Sequence, residues 1–410
     1  MKRSNIWVVA FLVLLLLACT AGASFLAGVY TSSMASRGKL PIRLPFVPPQ
    51  SPATTEVGPS WGEFGLFREV WDIIQQEYYG EIPDHQTILY GAIRGSLQTL
   101  GDEYTSFIEP QIARILEEDA SGEFQGIGAY VRMREDGKLE ISGIIPNTPA
   151  EKAGLRAGDR VLAVDGQSIV GYSLYEAIAL IRGPAGTQVT LLIERPGEEA
   201  TFEVTVTRAR IEIPQVEAKL LEEDIAYIRL HEFSANATRQ MKEALSDLLS
   251  RKPRGLILDL RNNPGGWLDQ ALEVADLFLD RGVVMIERTT EGERVFRTRS
   301  GDMAESIPLV VLVNGGSASA SEIVAGAIQD RGRGILIGER TLGKGSVQRP
   351  YRLSDGSELR VTIARWYTPN NREIHGQGLE PDILVRWPEE TPEGKDPQLE
   401  RAIQYLETGK

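Results

Sequence analysis

The sequence predicts an α/β multidomain protein, with a β-rich module set between a helical start and a layered α/β core. Three observations predict it. From Ile225 onward, apolar strands alternate with helical patterns, as in stacked parallel strands. From Phe124 to Arg208 the texture is instead short β-runs broken by turns, with one helix among them. Between Phe64 and Asp102, aromatic and aliphatic residues recur at helical spacing.

The chain is acidic, with a net charge of -13 over 410 residues, and contains no basic run to neutralise phosphates. Nucleic acid is therefore excluded as a main partner. A hydrophobic fraction of 42% and a charged fraction of 25% fit a globular protein with a sizeable core. The length leaves room for two or three domains. The single cysteine, Cys19, rules out an intrachain disulfide and a thiolate metal cluster. His85, His231 and His375 are not at ligand spacing, so no metal is implied.

Residues 1–30 hold the membrane element. From Ile6 to Tyr30 runs "IWVVAFLVLLLLACTAGASFLAGVY", and no charge occurs from Ser4 through Ser36. These 25 residues, at about 1.5 Å each, cross a hydrocarbon core of roughly 30 Å. Lys2 and Arg3 precede them, so a single-pass anchor in the cell membrane is expected, with the bulk of the chain extracytoplasmic. A cleaved signal peptide and a lipoprotein signal at Cys19 are the rival forms, and all three export the remainder.

Residues 31–60 form a stiff tether, with six prolines between Gly38 and Ser60. A helical segment covers 61–118, where Phe64, Phe67, Val70, Trp71 and Ile74 are expected to pack in a core. The β-rich module covers 119–208, with strands in "LEISGIIP", "DRVLAVDG", "QVTLLIERPG" and "TFEVTVTRA" and a helix in "SLYEAIALIRG". The α/β core covers 209–388. Its strands lie in "IAYIRL", "GLILDLR", "LVVLVN" and "GILIGE", and its helices in "TRQMKEALSDLLS", "LDQALEVADLFLD" and "SEIVAGAIQD". A hairpin pattern surrounds Asp355-Gly356, and a helical segment, 389–410, carries the amphipathic "PQLERAIQYLETG".

Within the core, "GERTLGKGSVQRP" fits G-x-x-x-x-G-K through Gly338, Gly343 and Lys344. A phosphate-binding loop also needs a Ser or Thr after the lysine and a helix beyond it. Gly345 and a strand pattern stand there instead, so nucleotide binding ranks last among the functions considered. Flanking glycines let a loop fold tightly around a lysine. To act as a base at neutral pH, that lysine must drop ~3 units from about 10.4, which takes about 4 kcal/mol of desolvation. A solvated loop lysine is the plain alternative, and a nearby nucleophile decides between them.

"VNGGSASASEIVAGAIQDRG" offers such a nucleophile where an apolar strand ends and a helix begins. A hydroxyl there sits at the positive end of the helix dipole. Ser319 and Glu322 also match a capping box, which needs no catalysis. The small residues Gly315, Gly316, Ala318 and Ala320 favour close approach of a substrate backbone. In "LDLRNNPGGWLDQALEVA", Gly265-Gly266 can turn amides toward one point, as an oxyanion hole does; taken alone, an ordinary strand-to-helix loop is the better reading of this segment.

Together these segments resemble the carboxyl-terminal processing (tail-specific) proteases, serine endopeptidases with a Ser-Lys dyad and a PDZ domain. The likeness runs from about Gly62 to Ile403 and rests on "DLRNNPGG", "VLVNGGSASASEIVAGAIQD", "GERTLGKGSVQ" and "TIARWYTPNNREIHGQGLEPDI". It implies a crotonase-like layered core, Ser319 as nucleophile, Lys344 as general base 25 positions on, and Gln348 orienting the lysine. The backbone amides of Gly265 and Ala320 correspond to the oxyanion donors, and Ser317 and Ser321 to structural neighbours. Trp267 either lines the substrate cleft or packs in the core. In the module resembling a PDZ domain, Gly126, Ile127 and Gly128 of "FQGIGAYV" would present amides to a tail carboxylate, the tail adding as a strand.

The resemblance implies no cofactor. It implies protein or peptide substrates with free, apolar C-termini. Homodimers are common in the family; the amphipathic ends serve either such contacts or packing within one chain. The competing function is a proteolytically inactive PDZ scaffold that binds exported tails. The presence of Ser319, Lys344 and Gln348 argues against it.

Overall fold

The computed structural model describes residue 62 and residues 64–299, 303–388 and 394–410. The anchor and tether expected over 1–60 lie outside the described residues. Among the described residues no helix is long and apolar enough to cross a membrane.

The chain divides into two units, Met1–Ile82 and Pro83–Lys410. In the first, helix α1 covers Phe64–Glu77, and none of its residues is buried. Phe64, Phe67 and Val70 are about half exposed, contrary to the core packing expected of them. A helical period marks an apolar stripe but does not by itself bury it.

The second unit begins with α2 (His85–Gln98), capped by the Asp84 carboxylate, then β1 (Ser106–Ile108) and α3 (Pro110–Ala120). The β-rich module comes next. Its strands are β2 (Glu123–Gly126), β3 (Ala129–Met133), β4 (Leu139–Ile144), β5 (Arg160–Val164), β6 (Gln167–Ser168), β7 (Gln188–Glu194), β8 (Phe202–Thr207) and β9 (Ala209–Glu212). Helices α4 (Pro149–Lys152) and α5 (Leu174–Ile181) complete it. Strands β3-β4-β5-β7-β8 form one antiparallel sheet with β6 on β5, and β2 pairs β9. Alternate residues of β7 point inward to an apolar cluster with Leu139, Ile141, Ala177 and Ile181.

The core holds β10 (Val216–Leu220), β11 (Ile225–Leu230), α6 (Ala237–Ser250), β12 (Gly255–Asp259), α7 (Leu268–Asp276), β13 (Val283–Arg288) and β14 (Glu293–Arg297). It continues with β15 (Leu309–Val313), α8 (Ala320–Asp330), β16 (Ile335–Gly338), β17 (Ser346–Arg352), β18 (Glu358–Tyr367), β19 (Ile383–Leu384) and α9 (Pro397–Thr408). One sheet runs β10-β11-β12-β15-β16-β19, parallel from β11 onward. Every residue of β12 and β15 is buried, because helices and a second sheet cover both faces. That second sheet, β1-β18-β13-β14 with β17 on β18, contains the expected hairpin around Asp355-Gly356.

Helix α9 packs within the chain. Leu399, Ala402, Ile403 and Leu406 lie against Ile257, Val310 and Leu312. Its N-terminal Asp396 takes two hydrogen bonds from Arg261, at 2.9 and 2.8 Å, and Arg261 is itself paired with buried Asp259 at 2.6 Å. One of the two alternatives left by the sequence is thereby realised for this end of the chain.

Candidate active site

Three loops meet because the strands they leave are neighbours. Strands β12, β15 and β16 lie side by side and parallel, so the residues after their C-terminal ends converge at one edge of the sheet. Gly265 comes after β12, Ser319 after β15 and Lys344 after β16. Ala318 N–H donates to Asn263 O (3.0 Å), and Leu342 N–H to Ser317 O (3.0 Å), stitching the loops together.

The serine run sorts itself by burial. Ser317 and Ser321 are fully buried, and their hydroxyls donate to Leu260 O (2.8 Å) and Asn263 O (2.9 Å). Of the three, only Ser319 is partly exposed. Its backbone sits at φ 52°, ψ -113°, outside the favoured regions for a side-chain-bearing residue. Such a conformation costs on the order of 1–3 kcal/mol, a strain that clusters at functional sites.

Gly265 is placed against this serine. A Cβ added to it would lie 2.7 Å from Ser319 Cβ and 2.9 Å from Ala320 N, and its φ is 106°, so only glycine fits. Ala320 N–H opens α8, where first-turn amides lack intrahelical partners. The N–H of Gly265, in contrast, donates to the Asn263 side chain at 2.9 Å. Asn263 is fully buried and held by Leu230 O.

The residue that sequence reasoning missed is Glu322. It was legible only as a capping partner, although a lone acid within "ASEIVAGAI" is the signal that could have marked it. Its carboxylate is fully buried and accepts from four donors: Ser319 N (2.9 Å), Lys344 N (2.9 Å), Gly343 N (2.8 Å) and Thr341 Oγ1 (2.6 Å). Burial pushes this carboxyl up, and the donors pull it partly back.

Lys344 is gripped by its backbone, with N–H on Glu322 and O accepting from Trp366 Nε1 at 3.2 Å. Its Nζ lies 5.4 Å from the centre of the Tyr104 ring. Burial, then the like charge of Arg360, hold the ammonium below the ordinary lysine range, opposed by Glu322. In this conformer Nζ makes no hydrogen bond to the Ser319 hydroxyl among the described residues. Gln348 does not reach Lys344 either; its Nε2 donates to Ser346 Oγ (2.9 Å) and Thr362 Oγ1 (3.2 Å). Beyond Lys344 the chain enters strand β17 and forms no helix there, which removes the phosphate-loop alternative. Trp267, 48% exposed beside Gly266, is not packed in the core.

A second concavity lies on the β-rich module. Ile127, Gly128 and Tyr130 line a cleft of about 270 Å³ together with Ile178 and Ile181 of α5, while Gly126 pairs with Ala209 and does not line it. Gly128 has φ 87°, and a Cβ there would come within 2.4 Å of Thr148. Glu232 of the core reaches the same cleft, its carboxyl pushed up to about 7 by burial and then by Asp119.

Comparison with known proteins agrees with this layout. Residues 224–385 match peptidase family S41, and residues 140–195 match a PDZ domain. A carboxy-terminal-processing protease of Bartonella bacilliformis is 38% identical over 370 residues, 89% of this chain and 82% of that one. The carboxyl-terminal-processing protease of Synechocystis sp. is 37% identical, over 84% of this chain and 87% of its own. The solved photosystem II D1 C-terminal processing protease is 33% identical, with a TM-score of 0.49 over 84% and 92% of the two chains.

Proposed function

We infer the mechanism from the premise those matches establish: the chain belongs to peptidase family S41, as a PDZ-bearing carboxyl-terminal processing protease. It is a serine peptidase that cleaves proteins near their C-termini. On this reading Ser319 is the nucleophile and Lys344, unprotonated, the base that takes its proton. The amides of Gly265 and Ala320 hold the tetrahedral oxyanion, and the lysine then protonates the leaving amine. Water hydrolyses the acyl-enzyme to complete the cycle.

Two movements separate the described conformer from this arrangement. Lys344 Nζ swings from the Tyr104 ring to the serine hydroxyl, and Gly265 N–H exchanges Asn263 for the oxyanion. Gln348 uses its amide nitrogen on Ser346 and Thr362, which leaves its carbonyl oxygen to accept from the repositioned ammonium. The PDZ cleft with Ile127 and Gly128 takes an apolar tail, and catalysis occurs on the extracytoplasmic side of the membrane.

The observation that supports the dyad best is the single buried carboxylate of Glu322, which accepts from the main chains of both Ser319 and Lys344. Lys344→Ala tests it. Cleavage of an unstructured peptide with an apolar C-terminus should fall by roughly 10²–10⁴-fold while the protein melts as before. Undiminished cleavage would rule out the lysine as base.

A further inference from the structure

The catalytic lysine has an aromatic neighbour from a distant part of the chain. Tyr104 lies in the loop between α2 and β1, 240 positions before Lys344. Its ring is half-buried and sits 5.4 Å from Nζ on one side. On another it meets the His375 imidazole edge-on at 5.8 Å, and Arg365 Nη1 lies 3.2 Å from His375 Nδ1.

The loop that carries this ring is fastened at several points. Asp102 accepts from Tyr104 N–H at 3.2 Å and from the Thr105 hydroxyl at 2.6 Å. The Thr105 hydroxyl in turn accepts from Thr362 N–H at 3.1 Å, and Thr362 Oγ1 takes the bond from Gln348. Strand β1 pairs with β18 immediately afterwards, Ser106 opposite Arg360. The Tyr104 loop is thus held to β18 through Thr105 and the β1 pairing, and Thr362 of β18 also takes the bond from the proposed lysine-orienting residue on β17.

We propose that Tyr104 is a positioning residue for the catalytic lysine, its ring covering Nζ and shutting water out of the pocket from which the lysine reaches Ser319. This rests on Lys344 being the base. The ring acts in two opposed ways. Its negative face attracts the ammonium, and its bulk removes the water that would otherwise stabilise the charge. The charged groups that also face Lys344 are Arg360 from β18 and Glu322 from α8, and those around the ring are Glu103, Glu322 and Arg365, with the His375 imidazole edge-on beside it. None of them is altered by changing residue 104.

The test is the pH dependence of kcat/KM for peptide cleavage by the full chain, with Tyr104→Ala, Tyr104→Leu and Tyr104→Phe compared. Opening the cover in Tyr104→Ala should move the acidic limb up by about one pH unit, so that roughly tenfold of the rate is lost at neutral pH and recovered at alkaline pH. Tyr104→Phe keeps the ring and should restore the wild-type midpoint. An unmoved midpoint in Tyr104→Ala, whatever happens to the rate, overturns the proposal, as does a Phe variant as shifted as the Ala one. Should Tyr104→Ala not fold, Tyr104→Leu keeps the cover and loses the attraction, so its midpoint should fall below wild type; no shift there is equally fatal. Lys344→Ala run alongside separates the failures. Cleavage by that variant removes the base itself, whereas an inactive Lys344→Ala with an unmoved Tyr104→Ala midpoint removes only the tyrosine.

Discussion

The same four-residue pattern, Ser-x-x-Glu, opens α5 in the PDZ module and α8 in the protease core, and the two copies have different fates. Ser173 sits at φ -67°, ψ 160°, its hydroxyl accepts from Glu176 N (3.3 Å), and Glu176 accepts from Ser173 N (2.7 Å). That is an exposed capping box, and it does no more than finish a helix. Ser319 sits at φ 52°, and Glu322 is buried under four donors drawn from two loops. A cap needs only its own helix. The second copy also binds the lysine loop, and strain plus burial of a charge are the cost of doing so.

The contrast can be broken by paired substitutions. The largest difference is expected between Ser319→Ala and Ser173→Ala. Removing the proposed nucleophile should abolish peptide cleavage, a loss on the order of 10⁶-fold for a residue of that role. Removing the cap hydroxyl should leave kcat/KM in place and lower stability by about 1 kcal/mol, read by denaturant melts. Equal activity in the two variants would show the boxes to be equivalent.

Next in size is Gly265→Ala. With Ser319 Cβ at 2.7 Å and Ala320 N at 2.9 Å from the new carbon, the loop must shift and the oxyanion amide with it. Loss of one such donor costs roughly 10²–10³ in kcat, so a KM-dominated defect would contradict the assignment. Smaller again is the pair Glu322→Gln and Glu176→Gln. A carboxamide at 322 sets its own N–H groups against main-chain donors, and the expected result is a stability loss of about 1–3 kcal/mol together with slower cleavage. At the exposed 176 the same change should stay within about 0.5 kcal/mol with cleavage intact.

Much of this difference was beyond the reach of sequence. The parallel core was legible, because β11, β12, β15 and β16 are rich in apolar residues and alternate with amphipathic helices. The hairpin at Asp355-Gly356 and the glycines around Lys344 were legible for the same local reasons. Long-range effects were not. Nothing in "GDEYTSF" signals that Tyr104 meets a lysine from the other end of the chain, and nothing in "RNNPGG" says that Asn263 occupies the Gly265 amide. The aromatics of α1 kept a helical period faithfully, yet period alone cannot say whether a partner layer exists.

Burial holds the Lys344 ammonium below the ordinary lysine range, and its proposed role as base depends on that. The most direct measurement is an NMR titration of the chain labelled with ¹³C at lysine Cε, the Lys344 signal being assigned by its loss in Lys344→Ala. This signal should titrate well below the other lysines, with a midpoint matching the acidic limb of kcat/KM. A Lys344 signal that titrates with the surface lysines, near about 10.4, would contradict that role.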